Sequence, residues 1–131
     1  DGLGAGDNAK AALLTRGLVE ISRLGVAMGA KPQTFAGLAG MGDLVTTCFS
    51  PIGRNRSFGE AVGKGQKVED ALSATNSVVE GVATTSGVVE LARRHQVEMP
   101  ITQGVYDVLF NNMSPSQAIN ELMARPLKSE E

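Results

Sequence analysis

Apolar residues recur at helical spacing along most of this chain, and the clearest case starts at Asp7. From there, apolar and small residues stand three and four positions apart and define one face of a helix. This face comprises Leu14, Leu18, Ile21, Gly25 and Met28. Three charged residues, Arg16, Glu20 and Arg23, fall off this face, which places them on the predicted solvated side.

Capping residues, prolines and glycines mark the ends of the predicted helices. The Asp-Asn pair at positions 7–8 can cap the first helix, and Gly29 can end it. Thr102 can cap the helix that Pro100 opens. Ser114, followed directly by a proline and three residues later by a glutamine, forms a capping box. The predicted helices are 7–28, 32–40, 54–65, 67–75, 82–96, 100–109 and 114–123.

No segment alternates apolar and polar residues over the length of a strand. The Val-Val pair within residues 77–81 is β-branched but has no partner segment, so we interpret 77–81 as a loop that leads into a helix. With 131 residues and a mass of 13.6 kDa, the chain fits one domain with one core. The sequence therefore predicts an all-α fold, a compact multi-helix domain over residues 1–131.

The composition argues against several classes of function. A formal net charge of −2 and an aromatic content of 4% disfavour a nucleic-acid-binding protein. Cys48 is the only cysteine and His95 the only histidine, which excludes an internal disulfide and argues against a metal site. We expect a cytosolic protein in which Cys48 is buried and inert. No apolar run reaches the roughly 18 to 20 residues that a membrane span needs.

The first eight residues, DGLGAGDN, are rich in glycine and contain no methionine. This composition is typical of the interior of a longer chain. The glycines do not keep the G-x-G-x-x-G spacing of a dinucleotide-binding loop, and no predicted strand precedes them. We therefore do not expect a nucleotide to bind at this segment.

Candidate chemistry is concentrated between residues 38 and 59. Gly53, Arg54, Asn55 and Arg56 follow a proline-containing turn and precede a predicted helix. Free N–H groups at a helix start, together with a guanidinium group and an amide, form a suitable seat for a phosphate. The alternative is a solvated arginine pair beside a glycine turn.

Carboxylates and hydroxyls add further candidates. Asp43 stands between glycines and threonines, where it can accept hydrogen bonds from substrate hydroxyls, orient a catalytic cation or simply cap a helix. Thr46 and Thr47 can donate to a substrate or sit at the edge of the core. Glu80 follows the Val-Val pair and is either solvated or turned toward a cofactor.

Five blocks of residues, in this order, resemble the C-terminal domain of bacterial NAD(P)-dependent glycerol-3-phosphate dehydrogenase. The blocks are GDNAKAALLTRGLVEISRLGVAMGA, GLAGMGDLVTTC, GRNRSFG, VVEGVATT and EMPIT. The resemblance covers the chain from about Gly2 to Met123. The combination of GDL with a following RNR block is its most specific feature.

The resemblance implies a helical domain like the C-terminal domain of 6-phosphogluconate dehydrogenase, following an N-terminal Rossmann domain that residues 1–131 do not contain. The family interconverts sn-glycerol 3-phosphate and dihydroxyacetone phosphate in glycerophospholipid synthesis, with NAD or NADP bound mainly by the N-terminal domain. Its general acid/base lysine would lie shortly upstream of Asp1, so the resemblance predicts no catalytic residue within this chain and no activity of the chain alone. A homodimer is a further expectation.

Matched by position, the family's site residues fall on the candidates above. Asp43 would face the glycerol hydroxyls and the catalytic lysine. Gly53, Arg54 and Asn55 would bind the substrate phosphate, with glycine standing where bacterial members often have serine. The cofactor-binding residues would be Arg54, Val78 and Glu80.

Two other interpretations stay open from the sequence. The chain could be the helical domain of another small-substrate dehydrogenase, such as a ketopantoate or hydroxy-acid reductase. It could also be a non-catalytic helical module that binds an anionic partner through its RNR block.

Overall fold

The structure is a computed structural model, and it describes residues 1–126. Within these residues the backbone forms eight α-helices, one π-helical turn and no strand, which confirms the predicted all-α class. The helices are α1 (Asp7–Ala27), α2 (Pro32–Ala36), α3 (Asp43–Phe49), α4 (Arg54–Gly63), α5 (Val68–Ser73), α6 (Glu80–Arg94), α7 (Pro100–Phe110) and α8 (Pro115–Met123). The π-helical turn Leu38–Gly42 joins α2 to α3.

Local signals place several helix ends correctly. Gly29 has a φ of +98°, a conformation that glycine adopts without strain, and the chain leaves α1 there as predicted. Ser114 Oγ accepts a hydrogen bond from Gln117 N over 3.1 Å, which confirms the predicted cap of α8. The Gln117 side chain donates to Glu121 and accepts no hydrogen bond from Ser114 N, so only one arm of the capping box is formed.

Other boundaries differ from the prediction. Gly6 occupies the N-cap position of α1 and no side chain caps this end, so the expected cap at 7–8 is wrong. The predicted helix 32–40 ends at Ala36, and the π-helical turn then leads directly into α3. Within that turn Gly40 is buried against the backbone of Phe35, where a Cβ atom would overlap main-chain atoms.

The core lies where α1 meets α6 and the segment that precedes α7. Leu24, Ala92 and Met99 are buried together, with Val88, Leu91 and Val97 packed around them. The predicted apolar face of α1 is therefore only partly right. Ile21 and Met28 are exposed, and the buried positions of α1 are Leu24 and Glu20, because α7 packs against that side of the helix.

Glu20 is only 4% exposed, which contradicts its predicted place on the solvated side of α1. Its carboxylate accepts hydrogen bonds from Ile101 N over 2.6 Å, from Thr102 N over 3.1 Å and from Thr102 Oγ1 over 3.1 Å. The two N–H groups belong to the first turn of α7, where no carbonyl group of the same helix can accept their hydrogen bonds. Glu20 therefore caps α7 from another helix, and the expectation that Thr102 is the cap is wrong.

Candidate functional site

The turn 50–53 leads into α4, where the predicted phosphate seat lies. Gly53 has φ −66° and ψ 126° and occupies the N-cap position of α4. Its N–H donates to Ser50 O over 3.2 Å, and its carbonyl accepts from Ser57 N over 2.9 Å. Because the first N–H groups of a helix have no intrahelical acceptors, those of residues 54–56 are the donors left for a ligand among the described residues.

The two arginines of the RNR block have different surroundings. Arg54 is exposed and forms no ion pair or hydrogen bond with any residue of the described range 1–126. Arg56 is half-buried, and its Nε and Nη2 atoms lie 3.0 Å and 2.9 Å from Asp1 Oδ2. Glu60 lies 3.7 Å from Arg56 Nη1. Arg56 thus holds α4 to the start of the chain, and Arg54 is free to meet a ligand.

The neighbourhood of Asp1 ties three elements together. Lys10 Nζ of α1 lies 2.7 Å from Asp1 Oδ1 and 5.0 Å from the centre of the Phe49 ring at the end of α3. On α4, a hydrogen bond from Lys64 and its charge, followed by the charge of Arg56, lower the pKa of Glu60. The start of α4 is therefore braced by charged contacts that do not involve Arg54.

Asn55 joins the start of α4 to the start of α6. Its Oδ1 atom accepts a hydrogen bond from Gly81 N over 2.9 Å. Gly81 is the second residue of α6, so its N–H is one of the donors that a helix start leaves unpaired. No acceptor in the described range pairs with Asn55 Nδ2, whose two N–H donors remain for a ligand.

This link brings the predicted cofactor residues to the phosphate seat. Glu80 directly precedes Gly81 and is the first residue of α6, so the expectation that it lies in a loop is wrong. Val78 does lie in the preceding loop and is 72% exposed, whereas Val79 is buried and anchors the segment. Val78 and Glu80 therefore stand on an exposed segment that the Asn55 amide holds against α4.

Asp43 lies on α3, the helix that precedes the turn 50–53. It is the first residue of α3 and is exposed, and its side chain makes no capping bond, which excludes the simple capping role. A Cβ atom at Gly53 would lie 3.5 Å from Thr47 O, so the turn before α4 packs against α3 about one helical turn after Asp43. The described contacts do not bring Asp43 to Arg54 or Asn55.

Cys48 is exposed, which corrects the expectation of a buried thiol. Partial desolvation nevertheless raises the pKa of the Cys48 thiol, which disfavours the reactive thiolate. No cluster of three or more potential metal ligands forms among the described residues. A groove of about 340 Å³ between α6 and α7 is lined by other residues, including Arg93 and Gln103, and contains none of the predicted site.

Comparison with known proteins gives the family. Residues 1–120 match the family described as NAD-dependent glycerol-3-phosphate dehydrogenase C-terminus. The chain belongs to this family. A glycerol-3-phosphate dehydrogenase [NAD(P)+] 2 of Salinibacter ruber is 58% identical over 130 residues, which are 99% of this chain and 38% of that relative. The enzyme of Geobacillus thermodenitrificans is 56% identical, with the same coverage.

A solved structure agrees with this assignment. The crystal structure of glycerol-3-phosphate dehydrogenase from Coxiella burnetii superposes with a TM-score of 0.92 at 46% sequence identity, and covers 95% of this chain and 38% of that one. The chain thus spans well under half the length of these family members. Among the described residues, no helix combines the length and apolar character needed to cross a membrane.

Sequence reasoning identified the RNR block but missed two residues whose hydrogen bonds join separate helices, and of these only Gly81 contacts the block. Gly81 N, at the start of α6, donates to Asn55 of α4. Glu20 of α1 accepts from Ile101 N at the start of α7. The only local signal at position 81 is that a glycine stands at a helix start although its φ is not positive, so the backbone conformation does not require glycine there.

Proposed function

We propose that this chain is the substrate-binding, C-terminal domain of a longer enzyme that interconverts glycerol 3-phosphate and dihydroxyacetone phosphate with NAD or NADP. The observation that carries the proposal is the set of unpaired donors at the start of α4. The Arg54 guanidinium group, the Asn55 Nδ2 group and the N–H groups of residues 54–56 have no acceptor among the described residues.

These donors suit a phosphate monoester. Arginine binds phosphate through two parallel N–H···O bonds, and the helix dipole adds partial positive charge at the same point. The phosphate lies away from the reacting carbon, so its binding energy can orient the substrate for hydride transfer. Asp43, the first residue of α3, is our candidate for the contact to the glycerol hydroxyls and to a lysine supplied from upstream.

The cofactor is proposed to face Arg54, Val78 and Glu80. These residues fit such a group because they offer a cation, an exposed apolar side chain and an exposed carboxylate on neighbouring segments. The bound nicotinamide would supply or accept the hydride. The residues of this chain would hold and orient both molecules.

An upstream Rossmann domain is the proposed partner of the surface beside Asp1. Ile52 is 89% exposed, and Leu3 and Phe49 are also exposed. The Phe49 ring lies 5.0 Å from Lys10 Nζ, which pairs with Asp1. This proposal is supported by the family's description as a C-terminus and by the chain's coverage of only 38% of the Salinibacter relative. A homodimer stays a prediction, which sedimentation of the full-length protein tests.

The test is Arg54→Ala in the full-length dehydrogenase. Hydrogen bonds to a charged group contribute about 1.5 to 3 kcal/mol each, so loss of two lowers kcat/KM for dihydroxyacetone phosphate about a hundredfold or more. Activity with dihydroxyacetone, which has no phosphate, should change little. Arg93→Ala is the control, because Arg93 is exposed on α6 and pairs with Glu90. Unchanged kcat/KM in Arg54→Ala would refute the phosphate seat.

A further inference from the structure

We infer that Gly81 is a positioning residue that turns the Asn55 amide so that its NH₂ group faces the phosphate. The inference rests on the proposed function, because it gives a purpose to Asn55 Nδ2 only if an anion binds at α4. The observation behind it is the hydrogen bond of 2.9 Å from Gly81 N to Asn55 Oδ1.

The direction of the amide decides whether Asn55 attracts or repels an anion. The Nδ2 end carries two donors, and the Oδ1 end carries only acceptors. The N–H of Gly81 requires an acceptor and therefore selects Oδ1. A flipped amide would set two donors against each other at Gly81 and turn Oδ1 toward the phosphate. The backbone of α6 thus fixes the sign of the Asn55 contact.

Glycine is required at position 81 for space rather than for backbone conformation. A Cβ atom there would lie 2.8 Å from Asn55 Oδ1, 3.0 Å from Cγ and 3.3 Å from Nδ2. These distances are too short, so the Asn55 amide would have to move. Since alanine favours helices more than glycine does, any loss of binding in Gly81→Ala cannot come from a weaker helix.

Gly87 supplies a matched control on the same helix. A Cβ atom at Gly87 meets no atom within 4 Å, so Gly87→Ala makes the same chemical change without touching Asn55. In the full-length dehydrogenase we expect Gly81→Ala to raise KM for dihydroxyacetone phosphate about tenfold, the effect of one charge-assisted hydrogen bond. Because this contact is made in both the ground state and the transition state, kcat should stay within about twofold. Gly87→Ala should leave both constants unchanged.

A double-mutant cycle tests whether Gly81 acts through Asn55. If it does, Asn55→Ala raises KM, and adding Gly81→Ala to it causes no further rise. Circular dichroism and the thermal midpoint show whether each variant is folded. Asn55→Asp adds a second measurement, because it keeps an acceptor for Gly81 N while it removes the NH₂ donors. We expect it to raise KM at an unchanged thermal midpoint.

The outcomes separate the two proposals. If Asn55→Ala raises KM while Gly81→Ala behaves like Gly87→Ala, the positioning role is wrong and the phosphate seat stands. The positioning role also fails if the effects of Gly81→Ala and Asn55→Ala multiply in the double variant. If Asn55→Ala and Asn55→Asp both leave KM unchanged, Asn55 does not bind the phosphate and both proposals fail at that residue.

Discussion

Replacing Glu20 by glutamine should destabilise the domain more than its small chemical change suggests. The buried carboxylate accepts hydrogen bonds from Ile101 N, Thr102 N and Thr102 Oγ1, all at the start of α7. Glutamine keeps one acceptor oxygen and replaces the other with an NH₂ donor. The three donors that now share two carboxylate oxygens would then have only one amide oxygen as their acceptor. The NH₂ group of the glutamine would face an N–H group of the first turn of α7.

The magnitude follows from these contacts. A hydrogen bond to a charged acceptor contributes about 1.5 to 3 kcal/mol, and a negative charge at a helix N-terminus contributes up to about 2 kcal/mol when partly buried. The terms overlap, so we expect Glu20→Gln to lower the free energy of unfolding by about 2 to 3 kcal/mol. Glu20→Ala leaves all three donors without their acceptor and should lower it by about 3 to 5 kcal/mol.

Urea unfolding of the 131-residue chain, followed by circular dichroism, measures this difference. Glu69→Gln is the control, because Glu69 is an exposed helical residue that undergoes the same chemical change. The free energy of unfolding of Glu69→Gln should stay within about 0.5 kcal/mol of the parent's. Thr102→Val should lower the free energy of unfolding less in the Glu20→Gln background than in the parent, because the Thr102 and Glu20 side chains share a hydrogen bond. Equal stability of Glu20→Gln and Glu69→Gln would refute the capping role.

Three further predictions concern the surface, the N-cap of α4 and the chain alone. The hydrogen bonds and charges of Arg93 and Arg94 lower the pKa of Glu90 to about 2 from 4.5, so their stabilising effect is complete above about pH 4.5 and is lost as the pH falls toward 2. A carboxyl titration by NMR should show this pKa, and a midpoint near 4.5 would contradict the contacts. Gly53→Ser should be tolerated, because the added Cβ atom would lie 3.4 Å from Ser50 O and 3.5 Å from Thr47 O. In the full-length enzyme we expect it to raise the free energy of unfolding by a few tenths of a kcal/mol and to lower KM for dihydroxyacetone phosphate. A higher KM would show that the serine hydroxyl does not reach the phosphate. Residues 1–131 alone should oxidise no NADH or NADPH with dihydroxyacetone phosphate, since the expected lysine is not among them, and a rate above a protein-free control would contradict this.

Sequence reasoning worked where the deciding interaction is local. The end of α1 at Gly29 and the cap of α8 at Ser114 depend on residues within four or five positions, so their chemistry is visible in a short window. The same holds for the all-α class, which follows from the period of the apolar residues. The RNR block was likewise visible as a set of donors at a helix start.

The same reasoning failed where a residue acts on a distant helix. Glu20 has a charged neighbour at helical spacing on each side, which is the ordinary pattern of a solvated face, yet it is buried. Arg54 and Arg56 are identical in type and two positions apart, yet Asp1 pairs with Arg56. Nothing in the local pattern assigns one arginine to the fold and leaves the other free.

The sequence by itself determined the all-α class and which residue types stand at the start of α4, but it did not predict α3. Only the tertiary structure decided that Asn55 meets Gly81, 26 residues away, and that Glu20 meets Ile101, 81 residues away. The physical reason is that the first N–H groups of a helix need acceptors, and a neighbouring helix can supply them only after apolar burial has set the packing. The site is therefore a local sequence motif whose orientation is set by the hydrogen bond that joins the start of α4 to the start of α6.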